Sequence, residues 1–105
     1  MLSGKQKRLL RSKAMTQRAL INLGKGGLTH NFVQGVYDAL DAREMIKIAL
    51  LPAAAETPKE VGAYLHAEIP ELEVAQTIGR SLVVYMPSTK EDKQKLSKQV
   101  AALAK

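Results

Sequence analysis

A cluster of three glycines, in the stretch LGKGGLTH at residues 23–30, restricts the fold of this chain more than any other feature. Glycine weakens a helix or strand that contains it, because it loses the most conformational freedom on folding. The aliphatic run RALINL, at residues 18–23, ends at the cluster, and Thr29 behind it is a good helix N-cap. The pattern therefore predicts a strand, a tight glycine loop and a helix, in that order.

Helix N-termini are indicated at three places. Ser3 and Gln6 are spaced as a capping box, ahead of a helix that we expect to reach about Met15. Thr29 begins the second helix, and TPKE at residues 57–60 combines an N-cap threonine, a proline in the first turn and a closing glutamate. Apolar residues at helical spacing predict buried faces on the second and third helices. They are Phe32, Val33, Val36, Tyr37, Leu40, Val61, Tyr64 and Leu65.

Three further apolar segments predict strands. They are EMIKIALL, ELEVAQTI and SLVVYM, at residues 44–51, 71–78 and 81–86. Gly79 and Arg80 suit a type II′ turn, so the last two strands form an antiparallel hairpin. The order α-β-α-β-α-β-β predicts an α/β fold, with a mixed four-stranded sheet and three helices. We expect one domain over residues 1–87, and a lysine-rich tail over residues 88–105 that either forms a helix or frays.

Positive charge is concentrated at one end of the chain. The first 37 residues contain seven basic and no acidic side chains, whereas the rest contains nine basic and ten acidic ones. This bias predicts a polyanionic partner, with nucleic acid as the first choice and an anionic membrane as the second. The sequence has no long apolar segment, no apolar signal core and no cysteine, so we expect a cytosolic protein without disulfides.

The glycine loop is placed where a helix N-terminus offers N–H groups and a positive dipole end to an anion. We interpret Gly24, Lys25, Gly26, Gly27 and Thr29 as a clamp for a phosphate backbone, with a simple tight turn as the alternative. The loop is not a P-loop, because Lys25 is followed by Gly26. It is not a dinucleotide fingerprint either, because Thr29 occupies the position of the third glycine.

Four segments together resemble the YhbY-like proteins of bacteria, which consist of a single CRM domain. SGKQKRLLRSKA resembles their basic first helix, and GKGGLT resembles their G-x-x-G loop. ALDAREMIKI resembles the segment that leads into their second strand, and TIGRSLVVYMP resembles their closing hairpin. The resemblance covers most of residues 3–87. Met86 departs from it, since arginine is usual there, and the tail beyond Ser88 carries no family motif.

This resemblance implies a fold similar to the C-terminal domain of bacterial translation initiation factor three. It also implies RNA binding and an association with precursors of the large ribosomal subunit. Together with the charge pattern, it gives a set of candidate RNA contacts. They are Lys5, Lys7, Arg8, Arg11, Gly24, Lys25, Gly26, Gly27, Thr29, Arg43, Lys47 and Arg80. For Arg43 and Lys47 the alternative is a solvated turn with surface ion pairs, whereas Glu44 is expected to be structural.

No residue cluster predicts a metal site, a cofactor or an acid–base pair. Aromatic content of 4% argues against a platform of aromatic rings for stacked bases. We therefore expect a monomeric, non-enzymatic RNA-binding protein that assists assembly of the large ribosomal subunit. The alternatives are a small phosphate- or nucleotide-binding enzyme or sensor that uses the glycine loop, and an adaptor that docks a protein through the lysine-rich tail.

Overall fold

A computed structural model describes residues 2–103 of the chain. Its elements follow the predicted order α-β-α-β-α-β-β, and a short 3-10 helix and a fourth α-helix come after them. The elements are α1 (Gly4–Ala14), β1 (Ile21–Leu23), α2 (His30–Arg43), β2 (Met45–Leu50), α3 (Pro58–Glu68), β3 (Glu73–Ile78), β4 (Ser81–Tyr85), the 3-10 helix (Glu91–Lys93) and α4 (Leu96–Ala102). None of the helices described is long and apolar enough to cross a membrane.

The predicted caps of the first three helices are confirmed. The Ser3 hydroxyl accepts from the Gln6 N–H at 3.2 Å, and the Gln6 side chain accepts from the Ser3 N–H at 2.8 Å. Thr57 and Glu60 form the same reciprocal pair at the start of α3. At the start of α2, the Thr29 hydroxyl accepts from the Phe32 N–H at 3.1 Å. These bonds satisfy N–H groups that have no partner inside the helix, which fixes where each helix begins.

The sheet has the strand order β1-β2-β4-β3. β1 and β2 are parallel, and β4 pairs antiparallel with both β2 and β3, so the predicted mixed four-stranded sheet is confirmed. Gly79 has φ 53 in the hairpin between β3 and β4, as the first central residue of a type II′ turn requires. The register of β3 shifts between Val74 and Gln76, which marks a β-bulge.

Helices cover both faces of the sheet. On the α2/α3 face, Ile46, Ile48, Leu82 and Val84 pack with buried residues of α2 and α3. The α1/α4 face has a smaller core. Its buried residues are Leu2, Leu10, Ala14, Met45, Ala75, Val83, Tyr85 and Val100. The alternation of strand residues between the two faces gives each face its own core.

Within the segment after Ser88, residues 89–103 pack on the rest of the molecule, and the last two residues of the predicted tail lie outside the described part of the chain. The Gln6 side chain donates to the Val100 carbonyl at 2.9 Å, which joins α1 to α4. The buried Glu44 carboxylate accepts from the Ser88 N–H at 2.8 Å and from the Ser97 N–H at 3.0 Å. Asp41 accepts from the N–H and the hydroxyl of Thr89. These contacts hold the segment in place, and the domain boundary at residue 87 stays a prediction.

Glu44 has the structural role that was expected of it. It ends α2 with φ 67, a left-handed conformation that is uncommon outside glycine. Burial alone would raise the pKa of its carboxyl, but the hydrogen bonds from Ser97 and Ser88 outweigh burial and lower the pKa. Glu44 is therefore a buried anion that is stabilised by backbone donors.

One side chain of α3 lies differently from its sequence pattern. Tyr64 was predicted to be buried but is 36% exposed. The reason is Gly62: a Cβ on Gly62 would lie 2.7 Å from the Val74 side chain, so α3 packs closely on β3 through this glycine. Val61, Gly62 and Leu65 form the buried side of α3, and Tyr64 is turned to its flank. Met86, the position that departs from the resemblance described above, is 2% exposed and belongs to the α2/α3 core.

Candidate nucleic-acid interface

The glycine loop is a tight turn that ends in a left-handed residue. The Gly27 N–H donates to the Gly24 carbonyl at 3.2 Å, and the Thr29 N–H donates to the Gly27 carbonyl at 3.1 Å. Of the three glycines only Gly27 has a positive φ, at 73. A Cβ on Gly26 would have no atom within 4 Å. Glycine is thus required by the backbone at position 27, whereas at position 26 it leaves the approach to the loop open.

Several N–H groups of this loop are available to a ligand. Within residues 2–103, the N–H groups of Lys25, Gly26, His30 and Asn31 have no hydrogen-bond acceptor. His30 and Asn31 are the first two residues of α2, and the first turn of α2 contains no acidic residue. The Lys25 side chain, in the loop that leads into α2, is exposed. The arrangement combines backbone donors, a helix dipole and a mobile cation, all of which favour an anion.

One carboxylate close to this loop was missed by the sequence analysis. Glu56 Oε2 lies 3.4 Å from the position of a Cβ on Gly27. The other oxygen, Oε1, is buried and has no hydrogen-bond partner in the described part of the chain. The loops after β1 and β2 are adjacent because the two strands are parallel, and the Leu51 N–H donates to the Leu23 carbonyl at 2.8 Å. Parallel pairing was the signal that could have indicated this neighbour.

A positively charged groove lies between α1 and the sheet. It has a volume of about 300 Å³ and includes three basic side chains and no carboxylate. Its lining residues are Arg8, Arg11, Ser12, Ala14, Met15, Lys47, Gln76 and Ile78. Among the residues that the structure describes, no ion pair involves Arg8, Arg11 or Lys47. We call this cavity the α1 groove.

A smaller cavity of about 100 Å³ continues from the α1 groove along the sheet. It shares Lys47 and Ile78 with the groove and reaches Ser81. Ser81 pairs with Ala49 of β2, and Ala49 pairs with Asn22 of β1, one residue before the strand end that leads into the glycine loop. Three strand spacings of about 4.8 Å separate Ile78 from Asn22, or roughly 15 Å. The groove and the glycine loop therefore lie within reach of one extended chain.

The other predicted contacts are distributed over the surface. Lys5 and Lys7 are exposed on α1 but do not line the groove. The Arg80 guanidinium is exposed but donates to the carbonyls of Leu51 and Ala54, both at 3.2 Å, so it also fixes the loop after β2. Arg43 is the last residue of α2, and it precedes the end of β2 that is opposite the glycine loop. It lines a separate cavity together with Arg18.

A comparison with protein families identifies the class of this fold. The model of the CRS1/YhbY (CRM) domain matches residues 2–86. The chain belongs to this family.

Similar proteins are known from several bacteria. YqeI of Bacillus subtilis, which carries the name of a probable RNA-binding protein, is 42% identical over 94 residues, covering 90% of this chain and 96% of YqeI. A protein of Haemophilus influenzae named RNA-binding protein is 36% identical over 89 residues, covering 83% of this chain and 87% of that protein. The solution structure of SAV1595 from Staphylococcus aureus, a candidate RNA-binding protein, superposes with a TM-score of 0.71. It is 36% identical and covers 90% of this chain and 98% of its own.

Proposed function

We propose that this protein binds RNA through its glycine loop and the basic residues around the α1 groove. The observation that carries the proposal is the set of N–H groups at Lys25, Gly26, His30 and Asn31 that lack acceptors within the described residues. Backbone donors at a helix N-terminus bind a phosphate without reading a base. The names of the similar proteins and the family membership support RNA as the polyanion.

In this proposal the glycine loop and the α1 groove bind successive phosphates of one RNA strand. The glycine loop binds one phosphate through its N–H groups and Lys25, while Arg8, Arg11 and Lys47 neutralise phosphates further along. Such recognition depends on backbone position and charge rather than on the major-groove pattern of a duplex. We also propose RNA contacts outside the loop and the groove, at Lys5, Lys7, Arg43 and Arg80. In this proposal the protein acts as a monomer and does not catalyse a reaction.

The resemblance to single CRM-domain proteins of bacteria supports a more specific role. We infer that the RNA is ribosomal and that the protein assists assembly of the large ribosomal subunit in the cytoplasm. Crosslinking in growing cells, followed by sequencing of the bound RNA, is expected to enrich precursors of the large-subunit RNA. Enrichment of messenger or small-subunit RNA instead would contradict this role and leave RNA binding intact.

The direct test of RNA binding compares two substitutions at Gly26. Gly26 has open space around it and no positive φ, so both variants are expected to fold. Gly26→Asp places a negative charge where the phosphate approaches, whereas Gly26→Ala adds only a methyl group. We expect the aspartate variant to lose much more RNA affinity than either Gly26→Ala or Lys25→Ala. Folded Gly26→Asp protein that binds RNA as tightly as the wild type would show that the loop is only a turn.

The salt dependence of binding provides a second measure of the same proposal. If about five to eight phosphates are neutralised, log K plotted against log salt has a slope of roughly −4 to −7. Lys25→Ala is expected to make the slope less steep by about one. A flat salt response, or equal affinity for duplex DNA of the same length, would contradict phosphate-based recognition of RNA.

A further inference from the structure

We propose that the α1 groove holds an unpaired base, so that the preferred RNA contains bulged or single-stranded nucleotides rather than a continuous duplex. This inference rests on the proposed RNA-binding function and deepens it. The groove differs from the glycine loop in its chemistry, because it offers apolar and amide groups in addition to positive charge.

The α1 groove contains exposed apolar surface. Ile78 is 56% exposed and Met15 is 83% exposed, and both line the α1 groove. Single exposed apolar residues are common on protein surfaces. These two share one cavity with three basic side chains that have no ion pair among the described residues. Phosphates alone would not be bound by Ile78 and Met15, whereas the flat face of a base would cover both.

An irregularity of β3 places Gln76 in the groove. Ala75 is buried in the α1/α4 core, and Gln76 pairs across from Val83, which belongs to the same core. In a regular strand two successive side chains would lie on opposite faces. The β-bulge between Val74 and Gln76 brings both onto the α1/α4 face, so Gln76 lines the groove.

The Gln76 amide has both donors and an acceptor, and it makes no hydrogen bond within residues 2–103. It can therefore pair with the edge of a base. Arg8 and Arg11 can stack their guanidinium planes on that base or bind its flanking phosphates. Arginine stacking offers a route to base recognition that does not require the aromatic platform that this sequence lacks.

The volume of the α1 groove is also consistent with a bound base. A volume of about 300 Å³ corresponds to the lower end of pockets that bind small molecules, which is roughly 300–1,000 Å³. The groove is bounded by α1 on one side and by the sheet on the other. We therefore expect a base that is paired within a duplex to stay outside it. A nucleotide that is turned out of the helix can enter, and the phosphates on either side remain near Arg8, Arg11 and Lys47.

The test uses three RNA hairpins that share one stem. The first carries one unpaired uridine, the second carries an abasic nucleotide at the same place, and the third is fully paired. We expect wild-type protein to bind the uridine hairpin about five- to tenfold more tightly than the abasic one. Ile78→Ser and Gln76→Ala should remove most of this difference. Gln99→Ala, the same amide loss at an exposed position of α4, should preserve it.

The outcomes separate this inference from the proposed function. Equal binding of all three hairpins, or a preference that Ile78→Ser and Gln76→Ala leave intact, would overturn the base site while RNA binding stands. If none of the hairpins is bound, both the function and the base site are wrong. With 4-thiouridine at the unpaired position, photocrosslinks are expected in peptides that contain Met15 or Ile78. Crosslinks only at other surfaces would also overturn the proposal.

Discussion

The two faces of the sheet differ in how completely helices cover them. On the α2/α3 face, the core runs from β1 across to β3 and includes Met86 beyond the end of β4. On the α1/α4 face, the core surrounds Met45, Val83 and Tyr85, while Gln76 and Ile78 stay partly or largely exposed. The two faces of this small sheet therefore differ in role. The α2/α3 face contributes most of the buried core, whereas the α1/α4 face leaves an open groove that has room for a ligand.

The largest expected effect is the loss of stability when a buried side chain of the α2/α3 face is truncated. Leu65 is fully buried, so Leu65→Ala should lower the free energy of unfolding by about 2–5 kcal/mol. Ile78→Ala, on the α1/α4 face, should lower the free energy of unfolding by less than about 1 kcal/mol, because Ile78 is largely exposed. Urea unfolding of both variants measures the contrast, and similar losses would show that the two faces do not differ as described.

The next effect tests how the C-terminal segment is attached to the α1/α4 face. Glu44→Gln replaces one acceptor oxygen by an amide, which then faces the Ser88 or the Ser97 N–H. An unsatisfied buried donor costs about 1–3 kcal/mol, so we expect a loss of that size in the free energy of unfolding. Glu91→Gln at an exposed position is the control and should change little. A neutral Glu44→Gln would mean that the Glu44 carboxylate does not help to hold α4 in place.

The same attachment should make stability depend on pH in the acid range. The hydrogen bonds from the Thr89 N–H and hydroxyl lower the pKa of Asp41, and the pKa of Glu44 is also lowered. Because both carboxyls bind protons less readily when folded, their contribution is fully present above their ordinary values of 3.8 and 4.5. It is lost as the pH falls through the lowered folded values.

Thermal unfolding between neutral pH and pH 3 measures this dependence. The wild type should lose more stability on acidification than the Asp41→Asn/Glu44→Gln double variant, which is already destabilised at neutral pH. Parallel pH profiles of the two proteins would contradict the role of these carboxyls in holding residues 88–103.

A smaller effect on stability is expected to distinguish Gly26 from Gly27. Gly27→Ala forces a left-handed alanine, which should cost about 1–2 kcal/mol of unfolding free energy. Gly26→Ala should leave stability unchanged, or raise it slightly, because its backbone is not left-handed and its surroundings are open. Denaturant unfolding of both proteins gives the answer. A costly Gly26→Ala would invalidate the comparison of Gly26 variants in RNA binding.

The smallest expected effect is a gain in RNA affinity. Glu56 places negative charge close to Gly27, so Glu56→Gln should raise RNA affinity by about two- to fivefold at low salt, and less at high salt. Glu68→Gln, at an exposed position at the other end of α3, is the control. Fluorescence anisotropy with a labelled RNA measures both. Weaker binding by Glu56→Gln would indicate that this carboxylate supports the loop rather than opposing the phosphate.

Local signals in the sequence were sufficient to predict the order of elements. Caps at Ser3, Thr29 and Thr57 depend on residues three positions away, and the hairpin depends on Gly79. Such patterns are contained in a short stretch of chain, and the structure confirms them. Tyr64 was misplaced because the buried side of α3 is set by the close approach of Gly62 to β3, which helical spacing does not show.

Features that depend on tertiary packing could not be predicted. The bulge that turns Gln76 toward α1 and the position of Glu56 beside Gly27 both arise from pairing between distant segments. The structure brings Arg8, Arg11 and Lys47 into one groove, although sequence reasoning gave them only as separate positive charges. Whether these residues contact RNA stays a prediction.

We propose that the glycine loop and the α1 groove together bind the RNA. A titration of ¹⁵N-labelled protein with the hairpin that carries an unpaired uridine tests it most directly. We predict the largest amide shifts at Lys25, Gly26, His30 and Asn31 and along the groove, including Gln76 and Ile78, with little change in the exposed half of α3. Shifts concentrated on α3 or α4, with the glycine loop unchanged, would contradict this account.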